Sequence, residues 1–197
     1  MSKIDELTNK YCPDGVEYRE LGEVIISLKT GLNPRKNFSL NTPNACNYYV
    51  TVRELTGMSV KFYEKTDKVN DEGLRLINNR SNLEKGDILF SGTGTIGRTA
   101  LLKEKPKNWN IKEGVYVLKP KSEMINSVFL LYSLNSSDAR EQIQNKTVGS
   151  PVCSIPMTDL KKLSIPIPPL PVQEEIVKIL DRFTELEQEL EQELEQE

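Results

Sequence analysis

The segment SIPIPPLPVQEEIVKILDRFTELEQELEQELEQE, Ser164 to Glu197, constrains this chain more than any other. Prolines 166, 168, 169 and 171 fix φ and stiffen the backbone on the way into the last stretch. A helical pattern then begins. With Ile176 set at zero and about 100° advanced per residue, Val172, Ile179, Leu180, Phe183, Leu186, Leu190 and Leu194 fall within an arc of about 120°. The opposite face is nearly all Glu, Gln, Lys and Arg. From Leu186 onward the unit LEQE occurs three times. A strict four-residue period drifts about 40° per repeat on a straight helix, so the stripe curls instead of holding a long heptad seam. Single leucines spaced along a highly charged helix do not stabilise it alone in water. The pattern therefore predicts a partner helix for Ile176, Ile179, Leu180, Phe183, Leu186, Leu190 and Leu194, supplied by a second copy. The competing reading folds the stripe back onto its own domain.

Charge separates this helix from the rest. The chain of 197 residues has a formal net charge of −3. From Val172 onward ten acids face two bases, whereas Met1 to Pro171 holds 24 bases and 19 acids, a net of +5. A mildly basic body with an acidic helical tail suits a polyanionic partner. The absence of histidine excludes Ser-His-Asp and Cys-His triads and His-ligated zinc. Cys12, Cys46 and Cys153 are scattered and contain no CxxC, which predicts reduced, buried thiols rather than disulfides or a metal site. No apolar run is long enough to span a bilayer and the N-terminus does not read as a signal peptide, so the expected location is cytoplasmic.

Local patterns predict an α+β fold. SKIDELTNKY reads as a short helix and CPDGVEY as a Pro-Asp-Gly turn. RELGEVIISLKTG is a short helix or strand closing on the Lys29-Thr30-Gly31 turn. NYYVTVREL is a strand by its β-branched and aromatic content. KGDILFSGTGTIGRTALL reads as strand, glycine-rich turn, strand, and GVYVLKP as a further strand. SVFLLYSLNSSDAREQIQNK gives two helices, with Asn135 or Ser136 capping the second. DLKKLSIPIP is a turn of helix and a proline-limited strand. The expected layout is a globular domain of short twisted strands with flanking helices over residues 1–165. A proline-led helix over residues 166–197 then pairs in a coiled coil.

SGTGTIGRTA, Ser91 to Ala100, is the most chemical-looking stretch. It lacks the lysine of a P-loop, and β-branched residues come after it where GxGxxG would open a helix. Three readings stay open: a nucleotide loop, a tight β-hairpin, or a loop bringing backbone N–H groups, Thr93, Thr95 and Arg98 to a phosphate or base edge. PDGVEYR holds an Asp, a Glu and an Arg too close together to share a metal from adjacent strands, and reads as a turn. No constellation for catalysis, metal binding or a cofactor is present. Bases interleave with aromatics and amides in KTGLNPRKNF, NYYVTVR and RLINNR. Arg reads guanine edges, Asn and Gln read adenine, and Lys finds phosphates. The candidate DNA contacts are Lys29, Thr30, Arg35, Lys36, Arg53, Arg80, Thr93, Thr95, Arg98 and Lys146.

VEYRELGEV, KTGLNP, KGDILFSGTGTIGRTA and VGSPVCSIPMTDLKKLSIPIPPLPVQEEIVKILD occur in the order seen in specificity subunits of type I restriction–modification systems. The Pro-Pro-Leu-Pro-x-Gln-x-x-Ile run is the most specific piece. The chain resembles one target-recognition domain followed by one helical spacer, half of the family's usual two domains and two antiparallel helices. KPKNWNIKEG, Lys105 to Gly114, departs most from the family pattern.

The resemblance implies a non-catalytic subunit that grips one half of a split double-stranded DNA target. Its helices would act as a ruler and as a dock for methyltransferase subunits and, through them, the restriction subunit. Cofactor chemistry would belong to the methyltransferase. Base-reading residues vary among such subunits and do not carry over. A homodimer of a half-length chain would read an interrupted palindrome. The alternatives are a coiled-coil protein–protein adaptor without DNA binding and the recognition portion of a fused methyltransferase–endonuclease.

Overall fold

In a computed structural model, which describes residues 3–35 and 37–194, the chain folds into stacked sheets with helices on the outside. The elements in chain order begin with α1 (Lys3–Tyr11), β1 (Tyr18–Glu20), α2 (Leu21–Val24), β2 (Ile25–Thr30) and β3 (Asn47–Val50). A 3-10 turn (Val52–Glu54) leads into β4 (Leu55–Thr56), β5 (Ser59–Val60), β6 (Lys68–Val69) and α3 (Asp71–Arg80). Then come β7 (Ile88–Ser91), β8 (Thr99–Leu101), β9 (Trp109–Ile111) and β10 (Val115–Pro120). The chain continues with α4 (Ser127–Asn135), α5 (Ser137–Lys146), α6 (Met157–Leu160), β11 (Ser164–Pro166) and α7 (Leu170–Leu194). This is the α+β layout with a long C-terminal helix that the sequence predicts.

The main sheet is antiparallel, in the order β2-β10-β7-β8. Its central strands are buried on both faces over Ile88–Phe90 and Val115–Leu118, and those runs are continuously apolar or aromatic. The period of two decides which core each residue enters. Ile88, Phe90 and Leu118 pack with Leu130 and Leu134 of α4. Leu89 and Val117 face the other way, onto Val50, Leu55 and Ile111. Those last residues belong largely to a second sheet, β6-β3-β9, in which β3 and β9 run parallel. Its far side is closed by α3, where Leu74 and Ile77 meet Tyr49 and Val69.

Three local readings change. NYYVTVREL is not one strand: it stops at Val50, where Thr51 and Glu54 form a reciprocal capping box that starts the 3-10 turn. Residues 71–80, where no helix is predicted, form α3, capped by Asn70, whose Oδ1 accepts from the Gly73 N–H at 2.9 Å. Cys46 is exposed and Cys153 half-buried rather than buried, although all three cysteines are free thiols. The second N-cap of the helical pair is Ser136. No described helix is long and apolar enough to cross a membrane.

The root of α7 is set into the globule. Val172 and Gln173 are buried, and α1 and α4 lie alongside the helix. Gln173 makes three hydrogen bonds. Its Oε1 accepts from the Asn126 N–H at 2.8 Å, and its Nε2 donates to the carbonyls of Met124 at 3.0 Å and Pro168 at 2.7 Å. Farther along, the Tyr132 hydroxyl of α4 donates to Asp181 at 2.7 Å. β1 pairs with β11 immediately before the proline run, so the chain enters α7 from a fixed strand.

The apolar stripe is therefore divided. Ile176, Ile179 and Leu180 are half-buried against their own domain, as the folding-back alternative requires. Phe183 and Leu186 remain 60% and 54% exposed. The side chains of Leu190 and Leu194 lie outside the described residues.

Candidate nucleic-acid interface

The glycine-rich stretch is a hairpin between β7 and β8, with Ile88 opposite Leu101 and Phe90 opposite Thr99. It runs from strand to strand, so there is no helix N-terminus to serve a nucleotide loop. Ser91 organises the turn: its hydroxyl donates to the Thr95 carbonyl at 2.6 Å and accepts from the Arg98 N–H at 2.8 Å. Gly94 and Gly97 take positive φ at the bend. Gly92 is needed for another reason, because a Cβ there would overlap the Tyr116 ring. Thr93, Thr95 and Arg98 are left exposed.

Arg98 stands where the hairpin meets α5, with its Nη1 donating to the Val52 carbonyl at 3.3 Å. Arg140 of α5 lines the same space. The two arginines share the walls of two adjoining clefts. One, of about 630 Å³, lies between the hairpin and the end of α5 and includes Gln144 and Thr147. The other, of about 730 Å³, is bounded by Leu55–Met58, Asn135 and Leu180. Among the described residues neither guanidinium is in an ion pair. Two unneutralised guanidinium forks beside exposed hydroxyls and amides suit phosphates and base edges. Lys146 ends α5, next to Thr147 of the same cleft.

The structure thus groups Thr93, Thr95 and Arg98 on one hairpin, while Lys146 ends the helix across the cleft without being one of its lining residues. The other candidates lie apart. Lys29 is exposed on β2, at the edge of the main sheet opposite β8. Arg35 is exposed in the loop after β2, with φ of 29°. Arg80 is exposed in the last turn of α3, in the outermost layer. Arg53 is occupied by Asp67, at 3.0 Å. Thr30 is buried: its hydroxyl donates to the Val115 carbonyl at 3.1 Å and accepts from the Gly114 N–H at 3.0 Å, so it ties two strands rather than facing solvent. Lys36 lies outside the described residues. Arg140 is not legible in the sequence, because a base on a polar helix carries no mark until the hairpin opposite it is known. No cluster that could hold a metal ion occurs among the described residues.

Residues 13–196 match the family model of the type I restriction modification DNA specificity domain. A Methanocaldococcus jannaschii protein assigned as the MjaX type I restriction enzyme specificity subunit is 31% identical over 180 residues, covering 88% of this chain and 40% of that one. The Escherichia coli EcoBI specificity subunit is 29% identical over 103 residues, covering 52% of this chain and 22% of its own. The crystal structure of the HsdS subunit from Thermoanaerobacter tengcongensis superposes with a TM-score of 0.62 at 20% identity, over 96% of this chain and 44% of that one. The chain spans less than half the length of each of these relatives. The extent of the family match settles its membership: the chain belongs to the type I restriction–modification DNA specificity domain family.

Proposed function

We propose that this domain grips one half of a split duplex DNA target and presents it to separate methyltransferase subunits and, through them, a restriction subunit. The domain itself performs no catalysis in this reading. The observation that carries it is the arginine pair: Arg98 and Arg140 share two open clefts beside the exposed Thr93 and Thr95, with no described carboxylate neutralising either. A bidentate arginine discriminates guanine in the major groove, and the hairpin hydroxyls fit phosphate or base edges. The exposed Phe183 and Leu186 supply the seam for a second copy, whose domain would take the other half-site.

The test is binding by the assembled complex with its methyltransferase subunit. Arg98→Ala is expected to weaken duplex binding about tenfold, within the roughly 1–3 kcal/mol of a base-reading arginine, and to relax sequence preference at one position. Arg140→Ala is expected to lose affinity as well. If both variants bind as tightly and as selectively as the parent, the DNA face lies elsewhere on the domain.

A further inference from the structure

A second cationic surface lies across the β4–β5 hairpin from the arginine pair. Tyr48 of β3 stacks on Phe62 with ring centroids 4.5 Å apart. Trp109 of β9 closes edge-on against Phe62 at 5.8 Å. Phe62 is 37% exposed, so this aromatic cluster is not sealed into a core. Lys68 sits over the Tyr48 ring, its Nζ 5.2 Å from the centroid. The loop from β8 to β9 carries Lys103, Lys105 and Lys107, all exposed, along the rim of a cleft of about 430 Å³ walled by Phe62 and Trp109. Glu104 is the one acid among the described lining residues. None of the three rim lysines forms an ion pair among the described residues. Lys105 also acts on Glu84, whose carboxylate is already held by Lys119 at 2.7 Å.

We infer that this cleft is a phosphate-backbone clamp. Lys103, Lys105 and Lys107 hold the DNA strand beside the base-reading clefts, while Phe62 and Trp109 pack against the sugars. Three ammonium groups on one loop match a partner whose negative charges repeat along a line, and lysine meets phosphate as a point charge without demanding a fixed geometry. The position supports this. Leu55–Met58 wall the arginine cleft, and Ser59 and Val60, the next two residues of the same hairpin, wall the lysine cleft. The two clefts are thus walled by successive residues of one hairpin, and in this inference one duplex lies over both. The clamp reads no bases; it adds affinity and fixes the approach of the duplex. This assignment rests on the DNA reading proposed above.

The chain's single tryptophan gives a direct readout. The 197-residue chain is titrated with a short, fluorescently labelled random-sequence duplex at low salt, following both label anisotropy and Trp109 emission. Trp109 emission is expected to change in step with anisotropy. The Lys103→Gln, Lys105→Gln, Lys107→Gln triple variant is expected to bind more weakly. Its slope of log K against log salt should be shallower by about 2.7, at about 0.9 for each phosphate no longer neutralised. If the duplex binds while Trp109 emission stays flat and the triple variant keeps the parental slope, the clamp is overturned although the DNA reading stands. Absence of saturable duplex binding by the parent at low salt sinks both. A Trp109 response to polyglutamate equal to that for the duplex overturns the DNA assignment in favour of an acidic protein partner.

Discussion

Replacing Phe183 and Leu186 by glutamate is expected to leave the protein monomeric across the micromolar range, with its globule intact. The proposed homodimer has to cover the part of the stripe that the domain leaves open. Phe183 and Leu186 are each more than half exposed, so complete cover by pairing removes about half of each residue's surface from water. At roughly 1.5–3 kcal/mol for full burial of such a side chain, each contributes about 1 kcal/mol, and a two-fold interface uses each twice. The double variant should therefore weaken the dimer on the order of a thousandfold, before the repulsion of the added charges. Light scattering reads the state directly, and circular dichroism checks the fold. A parent chain that is already monomeric at micromolar concentration refutes the pairing. The consequence for DNA is equally large. Two identical domains about a two-fold axis would read identical half-sites in opposite orientation, so the parent should direct the methyltransferase subunit to an interrupted palindrome and the variant should direct little methylation. One added LEQE unit lengthens the helix by about 6 Å, roughly one to two base pairs of spacer. Mapping methylated sites in cells carrying the methyltransferase subunit with two, three or four units tests this. A spacer indifferent to repeat number would show that α7 does not set the gap.

Gln173→Leu should be the most destabilising change at the helix root. It keeps the side chain's bulk but strands three backbone groups, the Asn126 N–H and the Met124 and Pro168 carbonyls. An unsatisfied buried polar group costs roughly 1–3 kcal/mol, so the loss should come to about 4 kcal/mol. For a domain of this size that is a fall of about 10 °C in Tm, readable by thermal unfolding. Gln173→Leu with unchanged Tm would mean that these bonds do not hold α7 in place. The same three bonds account physically for a glutamine inside the Pro-Pro-Leu-Pro-x-Gln-x-x-Ile run. It is a buried amide that clasps the loop before α4, the proline run and the helix itself.

The parts of the fold that are readable from sequence are those whose signals are local. The β7–β8 hairpin shows its turn chemistry in glycines, and β10 shows its burial in Val-Tyr-Val-Leu. The break after Val50 is also local: Thr51-x-x-Glu54 is a capping box, masked by the β-branched residues around it. Helix α3 is hidden by Gly73 and a polar composition. Yet Asn70, the acids Asp71 and Glu72, and the Leu74/Ile77 spacing together mark a capped helix with a narrow apolar face. What no local pattern carries is the pairing across the chain. The parallel pairing of β3 with β9 joins segments far apart in sequence and creates the stack of Tyr48, Phe62 and Trp109. Likewise, nothing near Arg140 announces Arg98. The stripe on α7 is legible as apolar, but its division between its own domain and an open seam depends on where α1 and α4 come to lie.

The clasp at Gln173 bears on accuracy. α7 spans 25 residues, about 37 Å of lever arm. A pivot of only about 10° at its base would sweep the far tip by about 6 Å, close to two base pairs of duplex. A measuring rod that swivelled so far would accept several half-site separations and blur its own register. If α7 sets the gap as proposed, the three hydrogen bonds at its root, with Tyr132 bracing the shaft at Asp181 about two turns along, would hold that gauge to a single reading. In the proposed dimer, tolerance in the distance between two recognition events would thereby be decided far from any base, at one buried amide.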